Sequence, residues 1–417
     1  LEALGKFVDN WLKSEMPVVR PYEFEEWLET TSYSGVRKDE LRGAYAKLRG
    51  GLPDKRTASK VNSFVKTQGF DTYKHARLIM SRGDGFKVFS GPAFKAIEDV
   101  LYQKRPFVKH VPVPDRPQLV ESLIQAGRKY YATDFTAFES HFTPEVMATL
   151  EMKLYKHCLQ GWSGYKRLEQ VLLGINRLSL RSGVRATCRA RRMSGEMCTS
   201  LGNSFSNYIL AKFIASRAGG EIEGFVEGDD GLFASTVPIT AAAYERLGFT
   251  IKIVEVEDPR TASFCGMVFA EGGDILRDPR HFVANFSFTH SCIHGGNRVM
   301  RELLRAKALS TLYETPACPV VTAFARRALR DTRGATPRFV ADGYHEHAAV
   351  PRDERGIKQR VITPASRDLF HRLYGVSVRV QLAVERAAEQ GDWNKVAELM
   401  PAGENMQHYC DRYVELT

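Results

Sequence analysis

Two acidic points set in apolar, strand-like surroundings are the residues of this sequence best suited to chemistry. The first ends Lys129-Tyr-Tyr-Ala-Thr-Asp134-Phe-Thr-Ala-Phe-Glu139, a strand finishing in a carboxylate, after which Thr143-Pro-Glu sets a helix cap, an N1 proline and an early acid in order. The second is Gly224-Phe-Val-Glu-Gly228-Asp229-Asp230-Gly231-Leu-Phe-Ala, apolar on both sides of a Gly-Asp-Asp-Gly turn, which reads as a hairpin. Seen alone, Gly-Asp-Asp-Gly is also what an ordinary surface turn looks like. Two adjacent strands tipped by carboxylates can nevertheless hold Asp134 and Asp229 within reach of one pair of Mg²⁺ ions, which in two-metal sites lie roughly 3.5–4 Å apart. Such a pair suits phosphoryl transfer.

A third segment, Met193-Ser194-Gly195-Glu-Met-Cys-Thr199-Ser-Leu-Gly-Asn203-Ser-Phe-Ser-Asn207, runs from a Ser-Gly loop into a helix on which Thr199, Asn203 and Asn207 recur every four residues. That spacing forms one polar stripe. It is either the solvent face of the helix or a set of groups able to hydrogen-bond a sugar hydroxyl.

The elements around these segments are rich in positive charge. Over 417 residues, 59 Lys and Arg against 49 Asp and Glu leave a net +10, which suits a polyanion such as nucleic acid or an acidic membrane surface. Between Val36 and His110 there are 17 basic residues against seven acids, and Gln170 to Gly195 holds Arg177, Arg181, Arg185, Arg189, Arg191 and Arg192 with no acid. Arginines so spaced repel one another unless phosphates relieve them, although any single one is ordinary on a solvated face. No apolar run approaches the roughly 18 residues of a bilayer span. Seven scattered cysteines, odd in number and never in a C-x-x-C pair, argue for a reducing compartment and against a disulfide framework. The chain begins at Leu1, which is expected of a processed or excised piece of something longer. His290, Cys292 and His294 alternate along an expected strand, a set that zinc would accept but whose spacing equally fits neutral buried side chains.

In linear order these residues resemble the palm of RNA-dependent RNA polymerases of positive-strand RNA viruses, with a tombusvirus-like and nodavirus-like flavour. Asp134 with Glu139 is similar to motif A, Ser194-Gly195-x-x-x-Thr199-x-x-x-Asn203 to motif B, and Gly228-Asp229-Asp230 to motif C. Tyr244 to Lys252 resembles motif D, Ser263 to Phe269 the motif E hairpin, Lys74 to Arg82 motif F, and Tyr33 to Lys38 motif G.

The resemblance implies an α+β right-hand fold: fingers over residues 1–130 and 160–193, a palm with an antiparallel sheet over 131–159 and 194–286, and a helical thumb over 287–417. Helices are expected over Asn297 to Leu309 and Val376 to Gln390. It further implies template-directed RNA synthesis from ribonucleoside triphosphates for viral genome replication and transcription. Asp134, Asp229 and Asp230 would hold two Mg²⁺ ions, with Mn²⁺ as a substitute. Lys74, Arg77 and Arg82 would grip the triphosphate, and Glu139, Ser194, Gly195, Thr199 and Asn203 would bind the nucleotide. Ser34, Gly35, Arg37 and Lys38 would touch RNA, and Lys252 would protonate the leaving group or simply end a strand in solvent. Partners would be the template and product strands and viral or host replication proteins. The setting would be the host cytoplasm, at membrane-associated replication complexes reached through other segments or partners. The competing readings are a reverse transcriptase-like enzyme and a catalytically inactive RNA-binding relative.

Glu139 departs from the family pattern, in which an aspartate stands five residues after the first. The acceptor chemistry is kept and the reach grows by one methylene. Glu139→Asp is therefore expected to change the ratio of ribo- to deoxyribonucleotide incorporation in a primer-extension assay, and an unchanged ratio would remove Glu139 from sugar selection.

Overall fold

A computed structural model describes residues 1–66, 77–180, 182–286, 289, 292, 294–340 and 350–400. It is a mixed α and β structure whose strands are β1 (Lys60–Val65), β2 (Leu78–Arg82), β3 (Lys129–Phe135), β4 (Ile175–Leu180), β5 (Arg185–Arg189), β6 (Ile222–Glu227), β7 (Asp230–Ser235), β8 (Ile251–Val256), β9 (Ser263–Phe264), β10 (Met267–Phe269) and β11 (Ile275–Arg277). Contacts divide the chain into two compact units. One covers residues 1–66, 77–110 and 123–259, and the other covers 111–122 and the described residues from 260 onward. Among the described residues, no helix is long and apolar enough to cross a membrane.

In the first unit, β6, β7, β3 and β8 form an antiparallel sheet in that order. The hairpin read from Gly224 to Ala234 is present as β6 and β7, and the strand read before Asp134 is β3 at the middle of the sheet. The helix Thr199–Arg217 packs against β6 and β7, burying Leu201, Phe205 and Ile209 completely. A second sheet has the order β2-β1-β4-β5, with β1 and β4 parallel. Along β4 the side chains alternate, so that Asn176 is buried while Ile175, Arg177 and Ser179 are exposed, as the period of two requires when one face meets the core.

Immediately after β3 the chain turns through the short 3₁₀ helix Phe138–His141 and enters the helix Pro144–Thr149, whose N-cap Thr143 accepts a hydrogen bond from the Val146 backbone N–H at 3.3 Å. An aromatic cluster fixes this passage. Phe249, 1% exposed, lies 5.9, 5.7 and 5.6 Å from the rings of Phe135, Phe138 and Phe142, and Tyr244 meets Phe135 edge-on at 5.6 Å. The chain on either side of Glu139 is thus anchored to the residues that lead into β8.

The second unit contains the three-stranded antiparallel sheet β11-β10-β9 and the helices Asn297–Glu314, Val321–Asp331, Pro364–Tyr374, Val378–Gln390 and Trp393–Leu399, around a core that includes Leu309, Val321, Phe324, Phe370 and Val384. The hairpin expected over Ser263 to Phe269 forms with Cys265 and Gly266 at its turn, both left-handed with φ of 54° and 71°. The expected helix from Asn297 runs five residues further, to Glu314, and the one expected from Val376 starts at Val378 because Ser377 caps it. The strand expected through Cys292 is not formed there: Cys292 has φ of 57°, which is not extended, and His290 lies outside the described residues.

Removing the Phe249 ring should leave a cavity among the rings of Phe135, Phe138 and Phe142. Phe249→Ala is expected to lower unfolding stability by about 3–5 kcal/mol in denaturant titration, with Phe249→Leu costing less.

Candidate active site

Asp134 is the penultimate residue of β3. Its neighbour Thr133 pairs with Gly231 of β7, and Asp134 itself pairs with Lys252 of β8. Opposed residues in an antiparallel pair project to the same face, so the exposed Lys252 stands beside Asp134 on the sheet. On the other side, Glu227 pairs with Asp230 across the β6–β7 hairpin, leaving Gly228 and Asp229 as a two-residue loop. Gly228 has φ of +63°, a conformation that a side chain at this first loop position would resist. The tight turn is therefore Gly228-Asp229. Asp230 already belongs to β7, so the Asp-Gly pair that signals a hairpin in the sequence does not form the turn.

The helix Thr199–Arg217 holds this loop from beneath. Ser204 Oγ accepts the Gly228 N–H at 2.9 Å, and the Asn207 side-chain amide donates to the carbonyls of Gly228, Asp229 and Asp230 at 3.2, 3.1 and 3.0 Å. Asn207 is completely buried and Asn203 nearly so, and the polar stripe is accordingly not a solvent face. Asn203 donates to Glu139 Oε1 at 2.9 Å, joining the helix to the segment that follows β3. Thr199 is turned inward to its own loop, donating to the Met193 carbonyl at 2.6 Å and accepting from Glu196 N–H at 3.1 Å.

The carboxylates feel one another. Burial pushes the Asp230 carboxyl up to about 7, with further repulsion from Asp229, Asp134 and Glu227. Asp229 is also raised, chiefly by burial and then by Glu139 and Asp134, while a backbone hydrogen bond and the Arg77 guanidinium pull it down. Five acids, Asp134, Glu139, Glu227, Asp229 and Asp230, from β3, the turn after it, β6, the β6–β7 loop and β7, thus share one neighbourhood, with Arg77 as a nearby cation. Among the described residues no three His, Cys, Asp or Glu side chains are drawn together into a preformed metal cage. That is ordinary for Mg²⁺, which is commonly held by one or two carboxylates plus the phosphates of a substrate.

Several expected ligand-binding residues have other partners. Arg82 is 5% exposed and gives its guanidinium to Glu196, the Ala58 carbonyl and Asn176, so it is not available to grip a triphosphate. Ser194 accepts from Met80 N–H at 3.2 Å and donates to the Leu78 carbonyl at 2.9 Å, and Gly195 N–H donates to the Met80 carbonyl at 2.9 Å. These bonds stitch the Ser-Gly loop to β2. Ser34 caps the helix Gly35–Leu48; Arg37 makes paired bonds to Asp84, and Lys38 reaches Glu29 at 3.0 Å, so both cations expected to touch RNA sit in ion pairs. Arg192, counted within the arginine run, is 1% exposed. By contrast Lys60, Arg177, Arg185 and Arg189 of the second sheet are exposed, as is Arg77, and Lys74 lies outside the described residues. Sequence reasoning missed Ser204 and the loop-holding role of Asn207; their three-residue spacing on one helix face was the available signal.

Comparison with known proteins bears directly on this arrangement. Residues 107–287 match the family model described as viral RNA-dependent RNA polymerase. The chain is similar to viral RNA-dependent RNA polymerases. The matched stretch takes in Asp134, Glu139, Asn203, Asp229, Asp230 and Lys252, whereas Arg37, Arg77 and Arg82 lie before it. A curated relative, the RNA-directed RNA polymerase of striped jack nervous necrosis virus, is 25% identical over 209 residues, covering 46% of this chain and 21% of the relative. The chain therefore matches about a fifth of that polymerase's length.

The raised carboxyls make a stability prediction for the metal-free protein. Folded Asp230 keeps its proton up to about pH 7, whereas an unfolded aspartate loses it near pH 3.9, so this residue's contribution falls as pH rises between the two values. Asp230→Asn, which cannot ionise, is expected to raise the melting temperature of chelator-treated protein at pH 8 by ~2–4 °C. The gain should vanish near pH 4; an equal gain at both pH values would exclude ionisation of the buried Asp230 carboxyl as its source.

Proposed function

We propose that this chain performs template-directed RNA synthesis, transferring nucleotidyl groups from ribonucleoside triphosphates to an RNA 3′-hydroxyl for viral genome replication and transcription. The observation that carries this reading is the placement of Asp134 at the end of β3 and of Asp229 and Asp230 on the adjacent β6–β7 hairpin, at one end of the β6-β7-β3-β8 sheet and within the stretch similar to viral polymerases. Acids held together against their own repulsion fit a site completed by divalent cations. Asp134, Asp229 and Asp230 would hold two Mg²⁺ ions, or Mn²⁺ in their stead, which when bound supply Lewis-acid polarisation of phosphate oxygens and a lowered pKa at the attacking hydroxyl.

The chain's own groups do the rest. Arg77 binds and orients the triphosphate, its guanidinium being suited to paired phosphate contacts. The primer 3′-oxygen forms the new bond to the α-phosphorus as the bridging oxygen to the β-phosphate departs with pyrophosphate. Lys252, beside Asp134, is the group to give that leaving oxygen a proton. Glu139, oriented by Asn203, accepts from the ribose 2′-hydroxyl, a contact that a deoxyribose cannot make. This favours ribonucleotide substrates over the reverse transcriptase-like reading. In this reading residues 1–130 and 160–193 are fingers, 131–159 and 194–286 palm, and 287–417 thumb, with the exposed Lys60, Arg177, Arg185 and Arg189 on the fingers sheet toward RNA. The enzyme would act in the host cytoplasm with viral or host replication proteins.

A primer-extension assay on a short RNA with Mg²⁺ and four ribonucleotides tests the proposal. Wild type should extend the primer, and Asp229→Asn should abolish extension while retaining RNA binding. Normal extension by Asp229→Asn would overturn the assignment.

A further inference from the structure

The most deeply buried charge pair in the first unit lies directly behind the sugar-facing residues. Arg192 and Glu151 are each 1% exposed; Arg192 Nε donates to Glu151 Oε2 at 2.9 Å, and Nη2 reaches the same oxygen. Two further donors of the fork go to the helix Thr199–Arg217: Nη1 to Asn203 Oδ1 and Nη2 to Ser206 Oγ at 3.3 Å. The guanidinium also lies 3.4 Å from the centroid of Phe142, three residues beyond Glu139. Room for this arrangement exists because residue 202 is glycine. A Cβ there would lie 2.4 Å from Glu151 Oε2 and 2.8 Å from Arg192 Nη2.

An asparagine amide has one accepting end and one donating end, whereas a guanidinium only donates and an ionised carboxylate only accepts. With Arg192 on Oδ1, the Asn203 NH₂ is the end left to face Glu139, where it donates at 2.9 Å. Reversing the amide would set Oδ1 against the Glu139 carboxylate and the NH₂ against the guanidinium, two repulsive contacts. We infer that Arg192, anchored by Glu151, is a positioning residue for sugar selection: it locks the Asn203 amide in the one orientation that holds Glu139 ready for a ribose 2′-hydroxyl. The inference rests on the proposed role of Glu139 and Asn203. The task calls for arginine, because a lysine ammonium lacks the planar fork that reaches Glu151 and Asn203 together.

The test compares kcat/KM for a ribonucleoside triphosphate and its 2′-deoxy analogue in wild type, Asn203→Ala, Arg192→Lys, Ser206→Ala and the Arg192→Lys/Asn203→Ala double variant, with circular dichroism as a check of folding. Arg192→Lys should lower the ribo-to-deoxyribo ratio roughly tenfold, the effect of losing one good hydrogen bond, and Ser206→Ala should lower it less. The double variant should have the ratio of Asn203→Ala alone, because the two residues act through one contact. A merely structural role would slow both substrates equally and leave the ratio unchanged. Arg192→Lys that folds and keeps the wild-type ratio overturns the inference, as does an unchanged ratio in Ser206→Ala should Arg192→Lys fail to fold. An unchanged ratio in Asn203→Ala would overturn the sugar-sensing role and this inference together, while loss of discrimination in Asn203→Ala but not in Arg192→Lys would overturn the positioning role alone.

Discussion

Holding the partly buried Asp229 and Asp230 of the β6–β7 hairpin close to Asp134 at the end of β3 is the constraint on which the site of the first unit depends. Burial first, and the neighbouring acids after it, push the Asp229 and Asp230 carboxyls up and oppose the fold that places them there. What keeps them in position is backbone geometry rather than contact between the acids. The two-residue Gly228-Asp229 loop limits how far they can separate, and Asn207 ties three consecutive carbonyls of that loop to one buried amide. On the other side, the ladder between β3 and β8 and the aromatic packing of Phe135, Phe138, Phe142 and Phe249 hold Asp134 and the segment bearing Glu139. An acidic cluster fixed by its scaffold, with Arg77 and Lys252 beside it, is suited to receive cations together with an anionic substrate.

Positive charge follows a different logic. The net +10 pointed to a polyanion, but individual cations divide into two populations. Arg37, Lys38, Arg82 and Arg192 are bound to Asp84, Glu29, Glu196 and Glu151, and each such pair fixes one segment relative to another. Breaking a buried pair leaves an uncompensated charge, so Arg82 and Arg192, whose pairs are buried, bear on integrity first. Arg77, Lys60, Arg177, Arg185 and Arg189 remain exposed and form the surface on which phosphates can be met.

One helix meets both the acidic cluster and a buried cation. Along Thr199–Arg217, Ser204 and Asn207 hold the acidic loop, Asn203 meets Glu139, and Ser206 joins Asn203 in receiving Arg192. Its polar residues are almost wholly spent inside the protein, so it registers the acidic loop, the segment after β3 and the buried ion pair against one rigid element.

The sequence by itself determined the order and type of the acidic strand end, the hairpin, the Ser-Gly loop and the helix after it. These were legible because turn chemistry, capping at Thr143 and the periods of two and 3.6 are local properties. The resemblance to viral polymerases followed from the same residues. Only the tertiary structure decided that Gly228-Asp229 rather than Asp230-Gly231 makes the turn, that Thr199 and Ser194 face their own loop and β2, and that Asn207 grips the loop. It also decided which arginines are exposed and which are buried in ion pairs. Arg82 meets Glu196 across 114 positions and Arg192 meets Glu151 across 41, separations at which neither composition nor periodicity carries information about partners. An arginine has the same charge in solvent or in a buried pair, and which of the two it occupies depends on long-range packing that brings a carboxylate to it.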